Sequence, residues 1–120
     1  MSFASTLTAQ DLFGLFELNA AGTILYSRLR RSNELTNSKP EWVGRNYFDE
    51  IASFENIEEF RQMYRQFLNN RQVADNFIFN CRFSETVVPV KVLMARTYEV
   101  NCGERANVVI MDIRKCDLAH

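Results

Sequence analysis

Apolar side chains recur at every second position in the last third of the chain. Residues 77–83 put three phenylalanines and a cysteine on one face, and residues 88–94 put three valines and a methionine on one face. Alternation of this kind is typical of β-strands with one buried face. A further apolar run covers residues 106–113. We therefore predict three antiparallel strands, joined by turns at residues 84–86 and 101–103.

The first two thirds of the chain predict a hairpin and one longer helix. Residues 15–18 and 23–27 carry strand-forming side chains on either side of a turn that ends in Gly22, which is free to take a positive φ. Apolar residues at three- and four-residue spacing predict a helix over residues 55–70, with acidic side chains in its first turns.

Residues 28–41 are polar and contain Pro40, so short helical turns are predicted there. They lead into a segment that we call the elbow, residues 43–51. In the elbow Gly44 follows two apolar residues, and Asn46 stands where a helix N-cap would begin a short amphipathic run. We predict a binding pocket next to the elbow.

The run 106–113 is apolar on both faces of its predicted strand. An antiparallel sheet with one face in water alternates polar and apolar residues instead. We therefore expect the outer face to be covered, either by the N-terminal arm or by a second copy of the chain. The candidate interface residues are Leu93, Val109, Met111 and Ile113.

Composition narrows the class of protein. The 120 residues are enough for one domain with its own core, and the net charge of -1 gives no sign of a nucleic-acid partner or a membrane surface. No apolar window approaches the ~20 residues of a membrane span. The three cysteines, Cys81, Cys102 and Cys116, are odd in number and widely spaced, which favours neither a disulfide framework nor a metal site. We expect a cytoplasmic protein.

The order of hairpin, short helices, elbow, longer helix and three-stranded meander is that of a PAS domain, and the sequence resembles the photoactive yellow protein family. The matching positions are Phe13, Gly14, Leu18, residues 22–25, residues 43–48, Phe60, Phe77 and residues 90–94. The resemblance implies an α+β fold: a five-stranded antiparallel sheet with short helices and one longer helix packed on one face. The domain would cover residues 13–115, after an N-terminal arm or cap (1–12) and before a C-terminal tail (116–120).

The resemblance does not extend to the family's photochemistry. Those proteins attach a phenolic chromophore to a cysteine just after the elbow helix, and a tyrosine and a glutamate hold its phenolate. Here the three positions fall on Phe54, Ser27 and Arg31. A phenyl ring forms no thioester, so we expect no p-coumaric acid.

Other cofactors of PAS domains are also not expected. Cys81 lies in the tetrad Asn-Cys-Arg-Phe, which resembles the flavin-adduct motif of light-oxygen-voltage domains, but that motif belongs at the elbow, where Tyr47 stands. We interpret Cys81 as a small apolar core residue. Haem is not expected, because the one histidine is the terminal His120. No catalytic nucleophile, titratable pair or phosphate loop is evident, so we predict a protein without enzymatic activity.

Two functional hypotheses remain. The first is a non-photoactive sensory module that binds a small apolar or aromatic ligand, with a pocket lined by Ser27, Leu35, Tyr47, Ile51, Phe54, Phe79, Cys81 and Val92. The alternative is a ligand-free PAS domain that forms a homodimer or docks a signalling partner through the outer sheet face. In that case the bulky rings fill the space that a ligand would take.

Overall fold

The computed structural model describes residues 12–31, 34–70, 72–101 and 104–116, with the backbone alone for residues 31, 34–38, 98–101 and 104–107. Apart from Leu12 and Cys116, the predicted arm and tail lie outside the described residues. In chain order the elements are β1 (Gly14–Asn19), β2 (Ile24–Arg31), β3 (Glu34–Ser38), a 3₁₀ turn (Pro40–Trp42), a π-helical turn (Tyr47–Ile51), α1 (Ile57–Asn69), β4 (Ala74–Phe83), β5 (Thr86–Asn101) and β6 (Glu104–Lys115).

The strands form one antiparallel sheet in the order β3-β2-β1-β6-β5-β4. The predicted α+β fold is confirmed, and the five predicted strands are β1, β2, β4, β5 and β6. Because β6 lies between β1 and β5, the last strand of the chain joins the N-terminal hairpin to the C-terminal meander.

The prediction of short helical turns over residues 28–41 is wrong for most of that segment. β2 continues past its predicted end because Arg28 pairs with Leu15, and the Arg30 N–H donates to the Phe13 carbonyl at 2.9 Å. The short strand β3 then pairs back onto β2 as a sixth, edge strand. Ladder hydrogen bonds along β2 outweigh the weak turn preference of the polar side chains, and among the described residues of the segment only the turn that begins at Pro40 is helical.

The predicted helix is present as α1 and buries Phe60, Tyr64 and Phe67. The helix is attached to the edge of the sheet through Asn56. The Asn56 amide donates to the Asn80 carbonyl at 2.7 Å, and its oxygen accepts from the Arg82 N–H at 2.9 Å. A side-chain amide thus occupies part of the otherwise open edge of β4, which fixes the beginning of α1.

Register decides which side chains of β6 face the core. Met111 lies opposite Met94, and Ile113 lies opposite Val92; these side chains are fully buried on the inner face, under the helical side of the domain. Val109 is buried in the same core. The prediction that Val109, Met111 and Ile113 belong to the outer face is therefore wrong. The outer residues of β6 are Val108, Ile110 and Asp112, and of the four predicted interface residues only Leu93 faces outward.

Candidate functional site: the interior beneath the elbow

Hydrogen bonds on both sides of Asn46 fix the elbow against the first hairpin. Thr23 and Asn46 form an isolated antiparallel bridge, and the Tyr47 N–H donates to the Gly22 carbonyl at 2.9 Å. The Asn46 side-chain oxygen accepts from the N–H of Phe48 and from that of the following residue, at 3.0 and 3.1 Å. The predicted N-cap is confirmed, and it starts the π-helical turn so that Tyr47 and Phe48 point into the core.

Seven of the eight predicted pocket residues have described side chains, and all seven are buried in the interior. They are Ser27, Tyr47, Ile51, Phe54, Phe79, Cys81 and Val92. The eighth, Leu35, belongs to β3, where side chains lie outside the described part of the structure. The fold thus brings the seven into one interior; their role as a ligand site stays a prediction.

Polar groups in this interior differ in whether they make a hydrogen bond. The Ser27 hydroxyl donates to the Lys39 carbonyl at 2.8 Å, so this hydroxyl fixes the 3₁₀ turn against β2. The Tyr47 hydroxyl and the Trp42 indole nitrogen are both buried without a hydrogen-bond partner among the described residues. Buried polar atoms in native proteins are nearly always paired, so both groups call for an explanation.

Trp42 was missed as a candidate site residue by the sequence analysis. Its ring stacks on the ring of Phe16, with the two ring centroids 6.3 Å apart. The ring centroids of Tyr47 and Phe16 are 5.1 Å apart. The orphan N–H and the orphan hydroxyl therefore belong to rings that both pack on Phe16. The sequence signal was Trp42 itself, an indole two residues after Pro40, because a buried indole N–H normally has a partner.

Phenylalanine rings occupy the region where the resemblance placed the chromophore. Phe54 packs against Phe60, Phe79 and Phe83 with ring centroids 5.7, 6.1 and 6.2 Å away, and Phe60 lies 5.0 Å from Phe79. These separations are those of favourable edge-to-face and tilted aromatic pairs. The rings thus form a continuous cluster on one side of Tyr47, whose ring lies 6.4 Å from Phe60.

Burial keeps the titratable groups of this interior neutral. Desolvation raises the pKa of Tyr47 well above its ordinary value, and the nearby Cys81 thiol adds to the rise. Desolvation also raises the pKa of Cys81 from 9.0 to about 12. Burial also raises the pKa of Tyr64, and the positive charge of Arg96 partly offsets that rise. A neutral phenol and a neutral thiol can donate or accept a hydrogen bond but supply no nucleophile at neutral pH.

The described ranges contain neither a metal-binding cluster nor a helix that could span a membrane. There, no group of three or more histidine, cysteine, aspartate or glutamate side chains is arranged to hold a metal ion. Among the same residues, no helix has the length and apolar character needed to cross a bilayer. His120, the histidine considered for haem, lies outside the described residues.

Comparison with known proteins identifies the fold. Neither a family model nor a curated protein matches the sequence. Among the solved structures that resemble this one is the photoactive yellow protein domain of the sensor histidine kinase Ppr from Rhodospirillum centenum. It is 23% identical, with a TM-score of 0.56, and the match covers 90% of this chain and 98% of that domain. The chain therefore has the PAS fold of a photoactive yellow protein domain, as the sequence resemblance implied.

Proposed function

We propose that this chain is a non-photoactive sensory module, without enzymatic activity, that binds a small aromatic or apolar ligand in its interior beside Tyr47. The observation that carries the proposal is the Tyr47 hydroxyl, which is fully buried and has no hydrogen-bond partner among the residues that the structure describes. The PAS fold supports a sensory role by analogy only, because one fold can host many functions. The free thiols of Cys81 and Cys116 fit a reducing, cytoplasmic location.

The orphan groups define what the ligand must carry. A buried polar atom without a partner costs about 1–3 kcal/mol. The Trp42 indole N–H is a donor only, whereas the Tyr47 hydroxyl can donate or accept. A ligand hydroxyl could accept from Trp42 or pair with Tyr47, while its apolar body contacts neighbours such as Phe16 and Ile51. Because the phenylalanine cluster takes much of the interior, we expect a ligand about the size of one aromatic ring.

Phenol and toluene are a matched pair of probes, because they differ in the hydroxyl group. A ligand that binds the native state raises the melting temperature by mass action. We expect phenol to raise the Tm of the wild-type protein more than toluene does, and we expect the double variant Tyr47→Phe/Trp42→Phe to remove the difference. An equal effect of both probes on the wild type would refute the polar contact, and no effect of either would refute the ligand site. Absorbance and intact mass of freshly purified protein would reveal a retained natural ligand.

A second candidate function is a docking module that binds a signalling partner or a second copy through the outer sheet face. Ile78 on β4 is 55% exposed and faces outward, diagonally next to Leu93 on β5. Exposed apolar side chains that are grouped in this way mark interaction surfaces. The test for a homodimer is light scattering of the wild type and of Leu93→Glu: a dimer that dissociates in the variant supports self-association, and a monomeric wild type at high concentration contradicts it.

A further inference from the structure

Two cations face each other across the outer side of the sheet. Lys91 on β5 and Arg114 on β6 are direct partners in the antiparallel register, and both side chains are exposed. Like charges directly opposite one another on neighbouring strands are destabilising. The arrangement is thus a cost to the folded chain, and a bound anion would remove that cost.

The surrounding charges leave this pair only partly compensated. Arg114 donates to Asp112 at 3.0 Å, but the same carboxylate already accepts from Arg30 at 3.1 and 3.2 Å. Lys91 has no acidic partner within salt-bridge distance among the residues that the structure describes. The carboxylate of Asp112 is thus shared between two guanidinium groups, and Lys91 adds a further positive charge beside Arg114 on the same face.

The cations border a shallow depression with an apolar side. Its volume is about 220 Å³, and it is lined by Asn76, Lys91, Leu93, Asp112 and Arg114. Small-molecule pockets are usually about 300–1,000 Å³ and more enclosed. A depression of this size fits one or two side chains of an extended chain better than a whole ligand, and the exposed Ile78 next to Lys91 continues the apolar surface.

We infer that this depression binds an acidic peptide segment of a partner protein, with carboxylates against Lys91 and Arg114 and apolar side chains on Leu93 and Ile78. The inference rests on the docking function proposed above, and it adds that the docked partner is acidic. Charge complementarity favours the acidic segment over a second copy, because a second copy would bring the same excess of cations to the same surface.

The test uses a fluorescein-labelled synthetic peptide that alternates glutamate and leucine, and the same peptide with lysine in place of glutamate. We expect the wild-type protein to bind the glutamate peptide, with an affinity that falls as salt rises, and to bind the lysine peptide weakly. Lys91→Glu should lower the affinity by about tenfold or more, yet raise Tm by about 1–4 °C because it replaces a repulsive pair by an attractive one. The matched control is Arg65→Glu on the exposed side of α1, which should leave the affinity unchanged.

The outcomes separate the inference from the docking function on which it rests. Equal binding of both peptides, or no loss of affinity in Lys91→Glu, would overturn the acidic partner and leave docking in place. Binding of neither peptide would also overturn the acidic partner, whereas self-association through the same face is tested separately by light scattering of Leu93→Glu. Displacement of the glutamate peptide by low concentrations of inorganic pyrophosphate would show a small-anion site instead of a peptide site, and would also overturn the inference.

Discussion

Arg30 and Asp112 form a buried ion pair that crosses β1, the strand that lies between their own strands. Arg30 belongs to β2 and Asp112 to β6, and one guanidinium nitrogen donates to both carboxylate oxygens at 3.1 and 3.2 Å. The residues are 8% and 5% exposed, although both lie on the outer face of the sheet. The pair therefore ties the first hairpin to the last strand independently of the ladder hydrogen bonds.

Removing one partner of this pair should be much worse than removing both. Asp112→Ala removes the carboxylate that accepts from the buried Arg30 and from Arg114, and we expect a loss of about 3–5 kcal/mol in the free energy of unfolding. The double variant Arg30→Met/Asp112→Leu should recover most of that loss, because it buries no charge. Urea unfolding of the single and double variants measures the difference. A double variant as unstable as Asp112→Ala would contradict this account.

The two positive-φ glycines should respond differently to alanine. Gly22 has φ 92° and Gly44 has φ 90°, so each substitution carries the cost of about 1–2 kcal/mol of a left-handed L-residue. A Cβ at Gly22 would also lie 2.8 Å from the Phe48 ring, whereas a Cβ at Gly44 would meet nothing within 4 Å. We expect Gly22→Ala to lose about 3 kcal/mol and Gly44→Ala about 1 kcal/mol in chemical denaturation. Equal losses would mean that the Phe48 ring moves aside freely.

Two buried tyrosines should respond to phenylalanine with opposite signs. The Tyr47 hydroxyl has no partner in the described part of the chain, so Tyr47→Phe should raise the stability of the ligand-free protein by about 1 kcal/mol. The Tyr64 hydroxyl donates to the Asn19 carbonyl at 2.7 Å, so Tyr64→Phe should lower the stability by about 1 kcal/mol. Thermal unfolding of both variants gives the comparison. A loss of stability in Tyr47→Phe would show that its hydroxyl has a partner in solution.

Alkaline pH should destabilise the fold in a defined window. The pKa of Cys81 rises from 9.0 to about 12 on folding, so the folded state keeps a proton that the unfolded chain releases. The stability that comes from the neutral thiol is complete below pH 9 and is lost as pH rises from 9 towards 12. For this one group the loss is about 1 kcal/mol by pH 10. The slope of stability against pH should be smaller in Cys81→Val, and an unchanged slope would exclude the thiol as its source.

Local sequence patterns were sufficient to predict which side chains face the core wherever only one face of a helix or strand is buried. The alternation along β4 and β5 gave the inward faces of Cys81 and Val92 correctly, and the three- and four-residue spacing located α1 within two residues of its observed start. The N-cap at Asn46 was also found locally, because capping depends on a side chain and on the backbone two and three residues ahead.

The sequence by itself determined the α+β architecture, the elbow and the set of rings that fill the interior, since these depend on side-chain period and on residues close in the chain. Only the tertiary structure decided the face of β6, because a strand apolar on both sides has no preferred side until Met111 is paired with Met94. It also decided that Arg30 meets Asp112 and that Lys91 opposes Arg114, because both contacts depend on strand register across distant parts of the chain, which periodicity within one strand does not encode. The surroundings of the Trp42 N–H and the Tyr47 hydroxyl were likewise decided by tertiary packing, since the two rings meet at Phe16 from different turns.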